Sequence, residues 1–214
     1  ELCVTDEYLE QLASKPQLEE KEEQLVRDLI AYYLTQMGKN DETDSGTVRE
    51  AQLYSRLGLC YAGLGQDKPA EEFFIRAVAL YSRVLEAPER LRAQARIHYH
   101  LGGLFAAQRR LAEAETEYTR ALNLQERLVK EQPEVLNNII NYRDTARELC
   151  LMYLRQGRIA EIVSVVKRIQ DVLTYLADKG INASYIRELQ RIVNEFRRWL
   201  GSPFHPYYQQ DPST

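Results

Sequence analysis

With 214 residues, 44% of them hydrophobic and 28% charged, the chain is long enough to bury a real core and has the composition of a folded water-borne protein. Seven Pro and ten Gly are few for this length and favour helix, and without a run of about 18 apolar residues no helix reads as a membrane span. The net charge of −4 is uneven: residues 1–50 carry 13 acidic and 5 basic side chains, so residues 51–214 carry a net +4. That is too dilute for the concentrated basic face of a nucleic-acid binder.

The first residues, ELCVTDEYLE, are acidic and lack the basic start and apolar stretch of a secretory signal. They also lack an initiator Met, so the chain reads as a piece of something longer. Cys3, Cys60 and Cys150 are odd in number, far apart and without metal-ligand spacing. Cys60 and Cys150 fall among apolar helical positions, where a free thiol acts as a small buried hydrophobe. A reducing, cytoplasmic setting is therefore expected. Asn182-Ala183-Ser184 has the form of a glycosylation sequon, but Ser184 reads better as the cap of the next helix.

Apolar periodicity predicts helix almost everywhere after Leu18. A short helix is expected around Asp6–Ala13, then a longer one over Leu18–Met37, ending in the polar run GKNDETDSG. A helix near Val48–Leu64 turns at Gly65-Gln66-Asp67 into a second, opened by Pro69 and running to about Leu85. Proline suits a first helical turn, where its missing N–H has no intrahelical partner. Glu89–Gln108 pairs with Leu111–Lys130, and Asn141–Gln156 pairs through Gly157 with Ile159–Lys179. A last helix over Ser184–Leu200 places Ile186, Leu189, Ile192, Val193, Phe196, Trp199 and Leu200 on one face, with Arg187, Arg191 and Arg197 on the other. No segment alternates apolar and polar residues for long enough to suggest a sheet.

The helix pairs share offsets. From Ala51 the chain places Tyr54, Leu57, Gly58, Tyr61, Ala70, Phe74 and Ala77; from Ala95 it places His98, Leu101, Gly102, Phe105, Ala114, Tyr118 and Ala121. A degenerate third copy from Arg143 gives Ala146, Leu149, Cys150, Tyr153, Ile162, Val166 and Ile169. Glycine costs a helix interior about 1 kcal/mol, so Gly58 and Gly102 imply a close crossing with the small residues Ala70 and Ala114. This pattern, from about Ala51 to Lys179, resembles the tetratricopeptide repeat family. The starts at residues 51, 95 and 143 are spaced more widely than the common period of about 34 residues. In that respect the repeats are similar to those of kinesin light chains and many bacterial repeat proteins.

The resemblance implies an all-α, right-handed superhelix, an α-solenoid of helix-turn-helix pairs with flanking capping helices. It divides the chain into residues 1–45, an acidic helical segment and polar loop; residues 46–181, the array with core repeats at 51–84, 95–128 and 143–176; residues 182–201, a capping helix; and residues 202–214, a Pro/aromatic tail. It also implies a concave groove lined by the first helix of each pair. Gln52, Ser55, Arg56, Leu59, Ala62 and Gly63 fall on it from the first pair. Arg96, Tyr99, His100, Gly103, Ala106 and Ala107 follow from the second, and Asp144, Arg147, Glu148, Leu151, Leu154 and Arg155 from the third. Among these, Arg56, Leu59, Arg96, Tyr99, His100, Arg147, Leu151 and Arg155 are the candidate partner-binding residues. Family members that clamp the acidic carboxy-terminus of chaperones use Lys, Asn and Arg where this chain has Ser55, Leu59, His100, Asp144 and Glu148, which argues against that specialisation.

Chemistry is not legible. His98 and His100 are two apart on a helix and cannot share a zinc as an i, i+4 pair can. No phosphate loop, nucleophile elbow or apolar-set carboxylate stands out. The expectation is a non-catalytic adaptor without cofactor or metal, binding a protein or peptide segment with acidic residues, not nucleic acid and not by membrane insertion. Its rivals are a regulatory module of a larger protein and a unit that self-assembles through its end helices. A bland alternative is that the groove arginines pair with the chain's own Glu and Asp.

Overall fold

A computed structural model describes residues 4–37, 43–84 and 87–200. Every regular element among the described residues is a helix: α1 Asp6–Ser14, α2 Glu20–Gln36, α3 Asp44–Gly63, α4 Asp67–Tyr81, α5 Pro88–Ala107, α6 Leu111–Glu131, α7 Leu136–Arg155, α8 Ile159–Asp178 and α9 Ala183–Leu200. The chain divides into two compact units, Glu1–Ala114 and Glu115–Thr214, with the boundary inside α6. The Pro/aromatic tail lies outside the described residues.

The helix starts that depart most from periodicity are the early ones of α3 and α7. α3 starts at Asp44, four residues before Val48, because Thr43 caps it: the Gly46 N–H donates to its hydroxyl at 3.1 Å. α7 starts at Leu136 rather than Asn141, and Asn138 in its first turn is buried, its amide donating to the Leu128 carbonyl at 3.3 Å. α4 closes at Tyr81, short of Leu85.

In the first unit α3 and α4 form the tightest pair, with α5 packed on α4 and both α1 and α2 on α3. The signature positions build its core: Leu57, Ala70, Phe74 and Ala77 are fully buried. A Cβ on Gly58 would stand 2.6 Å from two carbons of the Phe74 ring, closer than real Cβ atoms come to anything. The close crossing exists, but the ring of Phe74 fills the space above Gly58, where the sequence suggested Ala70. Tyr54 and Tyr61 stack on Phe73, with centroids 5.9 and 5.4 Å away. α2 supplies Val26, Leu29, Ile30 and Tyr33 to the same interior.

In the second unit α7 pairs with α8, and α9 packs on both. Ala146, Leu149, Cys150, Ile162 and Ile169 are buried in it. α9 inserts Leu189, Ile192, Val193 and Phe196, none more than 2% exposed. That amphipathic stripe covers the apolar side of α7 and α8.

One turn design recurs. After α3, Gln66 N–H donates to the Tyr61 carbonyl and Gly65 N–H to that of Ala62; Arg110 and Arg109 repeat this after α5, Arg158 and Gly157 after α7, and Ile181 and Gly180 after α8. These are Schellman closures, whose central residue takes a left-handed conformation. Gly65, Gly157 and Gly180 have φ of 67°, 70° and 68°, but Arg109 holds φ 60° with a side chain attached.

The residue after that turn staples neighbouring pairs. Arg110 lies 4.1 Å over the Phe105 ring and donates to Glu113 at 2.7 Å and to Glu71 of α4 at 2.6 Å, all in the first unit. In the second unit, Arg158 lies 4.6 Å over Tyr153 and donates to Glu161 at 2.8 Å and to Glu115 of α6 at 2.5 Å. Aromatic, Arg five residues on and Glu three after that recur together.

Two substitutions test this packing. Gly58→Ala gains helix propensity of about 1 kcal/mol yet should lower stability by about 1–3 kcal/mol net, because the buried Phe74 ring has nowhere to go. Arg109→Gly should raise stability by up to about 1 kcal/mol, since glycine takes the left-handed turn without steric cost. Urea titration measures both, and a neutral Gly58→Ala removes the crossing argument.

Candidate functional site

α1 packs on α3 and reaches α5 through ion pairs, over residues expected to line the groove. Arg56 of α3 and Arg96 of α5 converge on one carboxylate, Asp6: Arg56 Nε donates to Oδ1 and Arg96 Nη2 to Oδ2, each at 2.7 Å. One turn on, Glu10 Oε1 stands 3.2 Å from Arg96 Nε and 3.5 Å from His100 Nε2. The contact at Arg96 Nε is one of charge, because that buried N–H has no aligned hydrogen-bond acceptor.

The register is regular. Residue 6 meets 56 and 96, residue 10 meets 96 and 100, and Gly63 faces the backbone of Leu12 and Ala13. α1 therefore runs parallel to α3 and α5, and its i, i+4 acids match the i, i+4 pair Arg96 and His100. A Cβ on Gly63 would meet Ala13 Cα and the Leu12 carbonyl at 3.5 Å, ordinary contact, so a small residue there lets the α1 backbone lie close. Leu9 and Leu12 anchor the inner face at 1% and 2% exposure, while Glu7, Tyr8 and Gln11 face outward.

Local sequence favours this helix without being enough for it. Thr5 caps α1, accepting from Tyr8 N–H at 3.3 Å, and Asp6 and Glu7 suit the positive end of the helix dipole. Yet α1 has nine residues, and isolated helices shorter than about 12–15 residues are marginal in water. Its order depends on docking.

Burial alone would raise the Asp6 carboxyl, but the charges and hydrogen bonds of Arg96 and Arg56 outweigh it and hold Asp6 below its ordinary 3.8. The Arg56 guanidinium also sits 5.9 Å from the Tyr33 ring of α2. Tyr99 is half-buried with its ring edge-on to His100 at 5.5 Å, and His100 lies parallel to Phe74 at 5.9 Å. Leu59 corrects the sequence expectation: at 1% exposure it belongs to the core and offers no surface to a partner. Ser55 is buried as well.

In the second unit, Arg147 reaches Glu195 of α9 at 3.4 Å with both side chains about half exposed, a pair worth little. Arg143 makes the firmer contact, to Glu188 of α9 at 2.5 Å and to Asp144 at 2.7 Å. Leu151 is half-buried and Arg155 exposed. Arg56, Arg96 and Arg147 thus each pair with a carboxylate of one of the chain's own flanking helices.

Sequence reading does not single out Asp6 and Glu10 within the short helix expected around Asp6–Ala13. The available signal was an i, i+4 acid pair beside two leucines, in a segment of net −8 preceding one of net +4. As chemistry, the arrangement binds paired carboxylates. Cys60 and Cys150 are no nucleophiles, since burial pushes both thiols up to about 12. Among the described residues no group of three or more His, Cys, Asp or Glu is placed to hold a metal, and no helix is long and apolar enough to cross a membrane.

Stacked helix pairs with a charged face toward a short helix define a helical-repeat recognition module. Residues 51–83 and 95–127 match the family model described as the tetratricopeptide repeat, beginning at Ala51 and Ala95. Tetratricopeptide repeats are thus present over these residues, and such repeats generally mediate protein–protein interaction. Among curated proteins no match was found.

The Asp6 contacts carry a pH signature. A carboxylate whose folded pKa is depressed stabilises above its unfolded value and loses that contribution as pH falls through the folded one. Wild type should therefore exceed Asp6→Asn in stability by about 1 kcal/mol or more at pH 7. The gap should close as pH drops below 3.8, read by urea titration of both proteins across pH. A gap independent of pH would mean that Asp6 does not act through its charge.

Proposed function

We propose that the chain is a non-catalytic adaptor whose first unit binds an acidic peptide or helical segment of a partner protein on the α3–α5 face. One observation carries this reading: Arg56, Arg96 and His100 are already arranged around two carboxylates of a helix lying on that face. The repeat scaffold fixes these groups before any partner arrives, so docking loses conformational entropy mainly on the partner's side. Tyr99, half-buried beside His100, adds an aromatic contact at the same place. The setting for which the adaptor is suited is a reducing, cytoplasmic one, where its buried thiols persist.

Selection of displayed peptides on the full chain tests the reading. Recovered binders should carry acidic residues and weaken with salt, because exposed charges are screened over about 8 Å at physiological ionic strength. Arg96→Glu should cost them about tenfold or more. Tyr99→Ala should weaken them without changing the salt response. Binders indifferent to salt, Arg96 and Tyr99 together would place recognition on another face.

A further inference from the structure

We infer that α1 is the internal stand-in for the partner: the α3–α5 face takes an acidic amphipathic helix of another protein, with two carboxylates one turn apart and leucines three and six positions after the first, and α1 must leave before that helix binds. The inference rests on the reading of this face as the binding surface, and it names the ligand and the competition for it.

Four observations lead here. The inner face of α1 is a complete recognition pattern: Asp6 on Arg56 and Arg96, Glu10 on Arg96 and His100, with Leu9 and Leu12 buried between them and the repeat core. Its outward residues Glu7, Tyr8 and Gln11 are exposed, so a competitor need copy only the inner four. α2 packs on α3 as well, with Val26, Leu29, Ile30 and Tyr33 buried, so α1 is not the sole helix covering α3 in the first unit. Finally, α1 has nine residues, too few to hold a helix in water without its dock.

Competition follows directly. The binding-competent state is the fraction with α1 detached, and apparent affinity falls by that fraction. The basic face is thereby screened from adventitious anions until a segment of matching charge and leucine spacing appears. A single peptide carboxylate cannot replace both Asp6 and Glu10.

The test uses the full chain and a fluorescein-labelled peptide of residues 4–17, VTDEYLEQLASKPQ, read by anisotropy. A full-length Asp6→Lys/Glu10→Lys variant, whose own α1 is repelled, should bind this peptide at least tenfold tighter than wild type. The same peptide carrying Asp6→Lys and Glu10→Lys should bind neither protein, and adding Arg96→Glu to the variant should abolish the gain. On wild type, saturating peptide should strip hydrogen-exchange protection from residues 9–14 while residues 57–60 stay protected. Should the double variant fold poorly, an Ala13→Cys/Gly63→Cys protein supplies the second measurement, since these positions face each other. Its oxidised form should bind at least tenfold more weakly than its reduced form.

Equal affinity of wild type and a folded double variant, peptide binding with α1 still protected, or an oxidised lock without effect would each overturn the inference. So would a concentration-dependent dimer in which the second copy's α1 occupies the face. If displayed peptides bind through Arg96 yet this peptide binds neither protein, the inference fails and the adaptor reading stands. If nothing binds through Arg96, both fail.

Discussion

The structure depends first on how closely two helices can cross. At Gly58 the missing side chain lets the Phe74 ring lie where a Cβ would stand at 2.6 Å. The ring is fully buried, as are Leu57, Ala70 and Ala77 around it. Burying a Leu or Phe is worth about 1.5–3 kcal/mol, more than the roughly 1 kcal/mol that glycine costs a helix. The penalty is local and the gain is shared by the pair. Cys150 holds the matching place in the third pair, fully buried.

Around that crossing, polar devices fix the next element. A Schellman turn ends α3, α5, α7 and α8 alike, and after α5 and α7 an arginine extends the closure outward. Arg110 and Arg158 each lie over the last aromatic of the preceding helix, bond the carboxylate three residues on, and reach a glutamate of an earlier helix. Gln66 holds the corresponding place after α3, the first turn of the array, with no earlier pair to reach. Long-range specificity is thus added by few residues, while apolar packing supplies most of the stability.

The charged α3–α5 face follows from the same economy of placement. Because α3 and α5 belong to equivalent positions of successive pairs, Arg56 and Arg96 stand side by side and can share one carboxylate. The Asp6 carboxylate is drawn by two cations at once, and His100 stands one turn on, 3.5 Å from Glu10. The acidic amino-terminal segment, at net −8, is the nearest source of such acids within the chain. Its charge is balanced where it docks.

Helix periodicity and the signature offsets determined a great deal by themselves. Seven positions of the first copy and their counterparts in the second defined the pairs, and most of these residues are buried where the offsets put them. Such information is local: a 3.6-residue period marks which face turns inward, whatever that face meets. Helix starts at Asp44 and Leu136 were less legible, because caps and buried amides act without periodicity. The cations Arg56 and Arg96 were legible as groove positions, since repeat offsets assign them a face. Their partners were not. Nothing in the spacing of residues 6 and 10 states that they will meet residues 56, 96 and 100, or that Phe74 rather than Ala70 will fill the space above Gly58. Ion pairs across 50 and 90 positions depend on where whole helices come to rest, and only tertiary packing decides that.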